Sequence, residues 1–117
     1  MTSYVPRRLD PKDLDAWLQK ESGKPILVDV REDYELAIAS FPAPVIHLPL
    51  SESSRWIEIL PEKMLNSQPV VVICHSGIRS WNFANWLIEE GWAHEVWNLE
   101  GGIDAWSVCV DSTIPRY

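Results

Sequence analysis

Val70-Val71-Val72-Ile73 constrains the fold more than any other stretch of this chain. A strand turns successive side chains to opposite faces, and here neither face carries a polar group. Both faces must be buried, which is the position of a central strand in a parallel sheet covered by helices on each side. Parallel neighbours cannot be joined by tight hairpins, so crossover segments must flank this strand in the sequence.

The flanking sequence supplies them. Residues 9–20 carry helix-start chemistry, with Asp10 as N-cap, Pro11 at the first helical position and Asp13 in the first turn. Leu14, Trp17 and Leu18 fall on one stripe, and Gly23-Lys24-Pro25 ends the segment. Residues 26–30 (ILVDV) read as a strand and 31–40 as a short helix with an acidic first turn. Within the proline-rich 41–50, only 45–48 (VIHL) can be a strand. Residues 54–64 read as a helix that Pro61 ends or kinks. Residues 80–90 form the strongest helical pattern, stopped by Gly91. Residues 95–99 alternate as a strand, 101–106 make a glycine-rich turn into a short helix, and the tail from Ser107 reads as irregular. The order α-β-α-β-α-β-α-β-α predicts an α/β domain with a mostly parallel sheet and right-handed crossovers.

At 117 residues the chain is sized for one domain, 1–117, with one hydrophobic core. Its net charge of −7 argues against a nucleic-acid partner, which requires a basic face. No apolar run approaches the roughly 18–20 residues of a membrane span, and Met1 to Asp10 lacks the apolar core of a signal peptide. Two cysteines, Cys74 and Cys109, are too few for a secreted disulfide scaffold and fit a reducing, cytoplasmic setting. No Cys-x2-Cys or His-x3-His spacing calls for a metal, and no cofactor is implied. His47 and His94 read as incidental. Most of the seven tryptophans are expected in the core or at its rim.

In α/β folds ligands bind beyond the carboxyl ends of the strands, and Cys74 stands at that end of the best strand. The loop Cys74-His75-Ser76-Gly77-Ile78-Arg79-Ser80 then runs into a helix starting at about Ser80. Gly77 permits a positive φ, so the loop can curl its N–H groups inward as an anion-binding nest. A helix N-terminus and Arg79 add positive potential. A thiol at the centre of such a bowl is expected to be held in its reactive, thiolate form. An inert strand-end cysteine is the competing reading. Arg79 either meets an anionic donor or braces the loop against a carboxylate. Ser76 and Ser80 are candidate donors to the sulfur, with Ser80 alternatively a helix cap. His75 reads as solvent-facing, and Trp81 as rim packing.

The loop "CHSGIRS" resembles the active-site loop of the rhodanese-like sulfurtransferases, Cys-x-x-Gly-x-[Arg/Ser/Thr]-Ser. Residues 28–35, with Asp29, Arg31 and Glu35, are similar to that family's first signature, and 98–106 (NLEGGIDAW) to its Leu-x-Gly-Gly-x-x-x-Trp ending. The resemblance covers about residues 4–110. It implies a five-stranded, largely parallel sheet and a two-step reaction through a Cys74 persulfide. It also implies substrate contacts from His75, Ser76, Gly77, Ile78, Arg79 and Ser80, and a structural polar network of Asp29, Arg31 and Glu35. The implied partners are a small sulfur-donor anion and a sulfur-accepting protein or thiol. The family's Gly-His-Ile-Pro-Gly-Ala segment is absent from 38–50, which alters the wall near the loop. Two alternatives stand beside this reading. One is a rhodanese-like interaction module with little or no catalysis. The other is a phosphatase, although the related phosphatase loop is Cys-x5-Arg and this chain has Cys-x4-Arg. In the irregular tail, Cys109 reads as a bland thiol or, alternatively, a resolving one.

Overall fold

The structure, a computed structural model, describes residues 5–60 and 68–117. Five parallel strands form one sheet: β1 (Arg7–Leu9), β2 (Ile26–Asp29), β3 (Ile46–His47), β4 (Val70–Ile73) and β5 (Val96–Leu99), in the order β1-β5-β4-β2-β3. Four of these are the strands expected from periodicity. The fifth, β1, falls in the polar leader before the first helix. It is three residues long with two exposed arginines, so no alternation marks it; its register on β5, Arg7 beside Trp97 and Leu9 beside Leu99, makes it a strand. Both edges of the sheet, β1 and β3, are very short, which limits the unpaired backbone offered to another chain.

β4 is the middle strand, and its four side chains are at most 2% exposed. Val70 and Val72 enter one core with Val28, Phe83 and Leu87, while Val71 and Ile73 enter the opposite one with Leu14, Leu99 and Trp106. That division is the pleat alternation of a strand covered twice. Trp56 and Trp106 are buried, and Trp17, Trp86, Trp92 and Trp97 pack at the core margins, as expected of bulky indoles.

Among the described residues four α-helices cover the sheet: α1 (Pro11–Leu18), α2 (Asp33–Ile38), α3 (Ile78–Glu89) and α4 (Gly102–Cys109). Asp10 takes the N-cap of α1 with Pro11 as first residue, but its side chain makes no capping bond. α2 is closed by a capping box between Glu32 and Glu35 and is shorter than the expected 31–40, because Ala39 leaves in an extended conformation. The helix expected at 54–64 is displaced: Leu50–Arg55 is a 3₁₀ helix and 56–59 are turns, held by the indole N–H of Trp56 donating to the Pro49 carbonyl at 2.9 Å. Residues 61–64 of that expectation lie outside the described residues. α3 begins at Ile78 rather than Ser80. α4 runs on through Ser107 to Cys109, so the start of the supposed irregular tail is helical; Ile103, Trp106 and Ser107 form its buried side. Among the described residues no helix is long and apolar enough to cross a membrane.

Candidate functional site

Cys74 follows β4 directly and is 1% exposed, although it stands at the sheet's carboxyl edge where ligands of such folds bind. Gly77 is the N-cap of α3 with φ 98°, and its N–H donates to the Cys74 Sγ at 3.0 Å. A Cβ on Gly77 would also lie 3.0 Å from the Gly101 nitrogen, so both the backbone angle and the space require glycine here. Ser80, in the first turn of α3 and fully buried, places Oγ 3.2 Å from the sulfur. Of the two expected serine donors it is therefore Ser80 that reaches the thiol; Ser76 is exposed. Because Gly77 holds the N-cap, Ser80 is not a helix cap.

The carbonyls of the loop are taken up elsewhere. The α4 N-terminus turns two free N–H groups onto them: Ile103 donates to the Cys74 carbonyl at 2.9 Å and Asp104 to the His75 carbonyl at 3.1 Å. Asn98, from β5, donates to the Gly77 carbonyl at 3.1 Å. These bonds hold the loop by its acceptors, while the Gly77 N–H, at the start of α3, is on the sulfur's side. Gly102 makes the approach of α4 possible. Its φ is +62°, and a Cβ there would sit 2.4 Å from both the Cys74 and His75 carbonyl oxygens.

Arg79 braces the loop. Its guanidinium donates to both oxygens of Glu35, at 2.8 and 2.7 Å, in the forked geometry that suits arginine and carboxylate. This bond holds the Glu35 carboxyl at about 2; burial acts in the opposite direction and is outweighed. The same pairing raises the Arg79 pKa. Of the expected network, Asp29 and Arg31 pair directly and are both fully buried, with Nη2 to Oδ2 at 2.8 Å. Arg31 Nη1 reaches the Glu35 carbonyl at 3.4 Å and the Tyr117 hydroxyl at 3.1 Å. That hydroxyl donates to Glu35 Oε1 at 3.0 Å. His47, expected to be incidental, donates from Nε2 to the Arg31 carbonyl at 2.6 Å. The network is thus one structure joining α2, the β2 end and the thiol loop.

His75 is not simply solvent-facing. Its ring stacks on that of Tyr117, with centroids 4.0 Å apart and planes 10° from parallel. Tyr117 and Asn98 are the two side chains at this site that motif reading missed. Asn98 carried a legible signal, a polar residue inside an otherwise buried strand; Tyr117 carried none. Ile78 is exposed at the rim, and Trp81 lies under the Arg8 guanidinium, 4.5 Å from its ring centroid, beside a cavity of about 300 Å³. Across the start of α3, Leu50, Trp56, Phe83 and Trp86 line an apolar groove of about 430 Å³ bordered by Arg79. Cys109 is exposed at the far end of α4, about 10 Å of helix rise from Gly102. Both cysteines are free.

The arrangement presents one buried thiol sulfur with an amide and a hydroxyl beside it, at the N-terminus of a helix. The family model of the rhodanese-like domain matches residues 10–109. The chain is 40% identical over 91 residues to the rhodanese-like/PpiC domain-containing protein 12, chloroplastic, of Arabidopsis thaliana, covering 78% of this chain and 30% of that protein. It is 31% identical over 91 residues to the thiosulfate sulfurtransferase GlpE of Actinobacillus pleuropneumoniae serotype 7 (strain AP76), covering 78% of this chain and 79% of that one. The crystal structure of a rhodanese-like domain protein from Staphylococcus aureus matches with a TM-score of 0.71 at 24% identity, over 95% of this chain and 98% of that chain, a likeness of fold. The chain spans about a third or less of the length of several curated relatives it matches.

Proposed function

Because the chain belongs to the rhodanese-like domain family, we propose that it is a sulfurtransferase that carries a sulfane sulfur on Cys74. In the first step the Cys74 thiolate attacks the outer sulfur of a donor such as thiosulfate. The donor's S–S bond breaks, sulfite leaves with the bonding electron pair, and Cys74 becomes a persulfide. In the second step a thiophilic acceptor, cyanide or a thiolate, attacks the outer sulfur and the Cys74 thiolate departs. No electrons enter or leave the pair of reactants.

The observation that carries this reading is the pair of donors on one sulfur, the Gly77 N–H at 3.0 Å and the Ser80 hydroxyl at 3.2 Å. Hydrogen bonds to a charged acceptor are among the stronger ones, so they favour the thiolate that attacks and that later leaves. The N-terminus of α3 contributes in the same sense. Arg79 supports the loop rather than standing free for a donor, so an anionic donor would meet backbone N–H groups first. Two free thiols accord with a reducing compartment such as the cytoplasm. The donor in this reading is a small sulfane-sulfur anion, and the acceptor a thiol, free or on a protein.

Mass spectrometry after thiosulfate treatment tests the proposal. The Cys74 peptide gains one sulfur atom, cyanide then removes it as thiocyanate, and Cys74→Ser abolishes both. A chain that gains no sulfur from thiosulfate, mercaptopyruvate or a low-molecular-weight persulfide is not a sulfurtransferase.

A further inference from the structure

Both donors that reach the Cys74 sulfur lead back to one side chain on the neighbouring strand. Asn98 is 2% exposed, in β5. Its Nδ2 donates to the Gly77 carbonyl at 3.1 Å and to Glu100 Oε2 at 2.6 Å. Both partners are acceptors only, so the amide nitrogen must face them and Oδ1 must face the other way. What Oδ1 meets is the Ser80 hydroxyl, at 2.5 Å. The same Oγ lies 3.2 Å from Cys74 Sγ.

A serine hydroxyl has one proton to give and lone pairs to receive with. While Cys74 is a thiol, the Ser80 proton can rest on Asn98 Oδ1 and the Ser80 oxygen can accept the S–H. Once the sulfur is an anion it has no proton to offer, and the Ser80 O–H must turn from Asn98 to the sulfur to satisfy it. Asn98 therefore does two things. It keeps the Ser80 hydroxyl beside the thiol, and it holds Gly77, whose own N–H meets the sulfur, in its left-handed conformation.

We propose that Asn98 is a positioning residue for the Cys74 nucleophile, acting through the Ser80 hydroxyl and the Gly77 backbone. The inference rests on Cys74 being the attacking group proposed above. Only hydrogen bonds are exchanged: the thiol proton leaves to a solvent base, and the Ser80 proton swings from Oδ1 to Sγ without leaving its oxygen. Glu100 carries the network outward, because it also pairs with Arg8 at 2.8 Å on the rim of the cavity beside Trp81.

The test uses the full chain with Cys109→Ser, so that Cys74 is the sole thiol, and follows alkylation by iodoacetamide from neutral to alkaline pH. Ser80→Ala and Asn98→Ala each slow alkylation at neutral pH by roughly tenfold, the loss expected for a hydrogen bond to an anion. Each also displaces the rate–pH profile toward alkaline pH. The double variant is no slower than Asn98→Ala, since Ser80 acts within the Asn98 network. Where circular dichroism shows that Asn98→Ala has not folded, the isosteric Asn98→Asp is read in its place; it loses the donor to Gly77 and slows alkylation likewise. Parent-like rates and profiles in a folded Asn98 variant overturn the proposal, as does a double variant whose losses simply multiply. A parent chain that gains no sulfur while its Asn98 variants still lose alkylation sinks the sulfurtransferase reading and leaves the role of Asn98 standing.

Discussion

Gly102→Ala is the substitution whose consequence can be worked furthest. The residue sits at φ +62°, and an added Cβ would stand 2.4 Å from the Cys74 oxygen, 2.4 Å from the His75 oxygen and 2.5 Å from the His75 carbonyl carbon. Those atoms are backbone and cannot swing aside as a side-chain tip would. A left-handed conformation costs a residue with a Cβ about 1–2 kcal/mol. Overpacking adds about 1–3 kcal/mol. If the loop retreats, the bonds from Ile103 and Asp104 to its carbonyls weaken, at about 1 kcal/mol each. The sum is roughly 4–7 kcal/mol, a large part of the 5–15 kcal/mol that ordinarily holds a domain folded. Gly91 supplies the control, with φ +74° and nothing within 4 Å of the added Cβ, so that Gly91→Ala shows the cost of the backbone angle alone. Urea unfolding of both variants, with slopes compared to confirm a common transition, separates the two contributions. Alkylation of Cys74 in the folded fraction of Gly102→Ala should also slow. A Gly102→Ala variant within about 1 kcal/mol of Gly91→Ala, with parent-like alkylation, would refute the view that close approach of α4 shapes the thiol loop.

Glu35 makes the protein acid-sensitive in a definite window. Its carboxyl lies at about 2, below its ordinary 4.5, first because Arg79 donates to it. A lowered folded-state value means that the stabilisation is complete above pH 4.5 and is lost as pH falls through about 2. The full shift corresponds to about 3 kcal/mol, and the partial exposure of Arg79 to water reduces this to about 2 kcal/mol. Glu35→Gln should therefore be less stable at neutral pH and show a flatter acid limb in chemical denaturation; an unchanged limb refutes the assignment. Cys109→Ser, at the exposed end of α4, should alter stability by less than about 0.5 kcal/mol and leave sulfur loading of Cys74 intact. A turnover stalled after loading in that variant would instead make Cys109 a resolving thiol.

What could be read from the sequence follows from how local each cause is. Four β-branched and apolar residues in a row can only sit between two layers, so β4 was legible, and so was the place of Cys74 at its end. The Gly77 turn and α3 follow from residues within a few positions of one another. β1 was not legible, because Arg7-Arg8-Leu9 becomes a strand only by lying on β5, 90 residues further along the chain. The role of Arg79 was open for the same reason. Its position five residues after Cys74 sets where the guanidinium is, but its partner Glu35 comes from another helix. The acidic residues of 31–40 mark the start of α2, yet nothing local says that Glu35 also receives Tyr117. The end of α4 was misjudged because Val108 and Cys109 are exposed and break the apolar pattern, while Trp106 and Ser107 keep the helix against the core.

The clamp on the thiol loop also has a consequence for the order in which this polypeptide is made. Cys74 and its loop leave the ribosome before any of the groups that hold the loop's carbonyls, since Asn98, Ile103 and Asp104 come 24 or more positions later. Domains are synthesised at about 5–20 residues per second, so for a second or more the nascent chain carries an ordinary cysteine on a loop with no cradle. The clamp is complete only when β5 lies beside β4 and α4 has closed on the loop. The clamp is then a late event in biosynthesis, and a chain interrupted before Asn98 would display the Cys74 loop with none of the groups that hold its carbonyls.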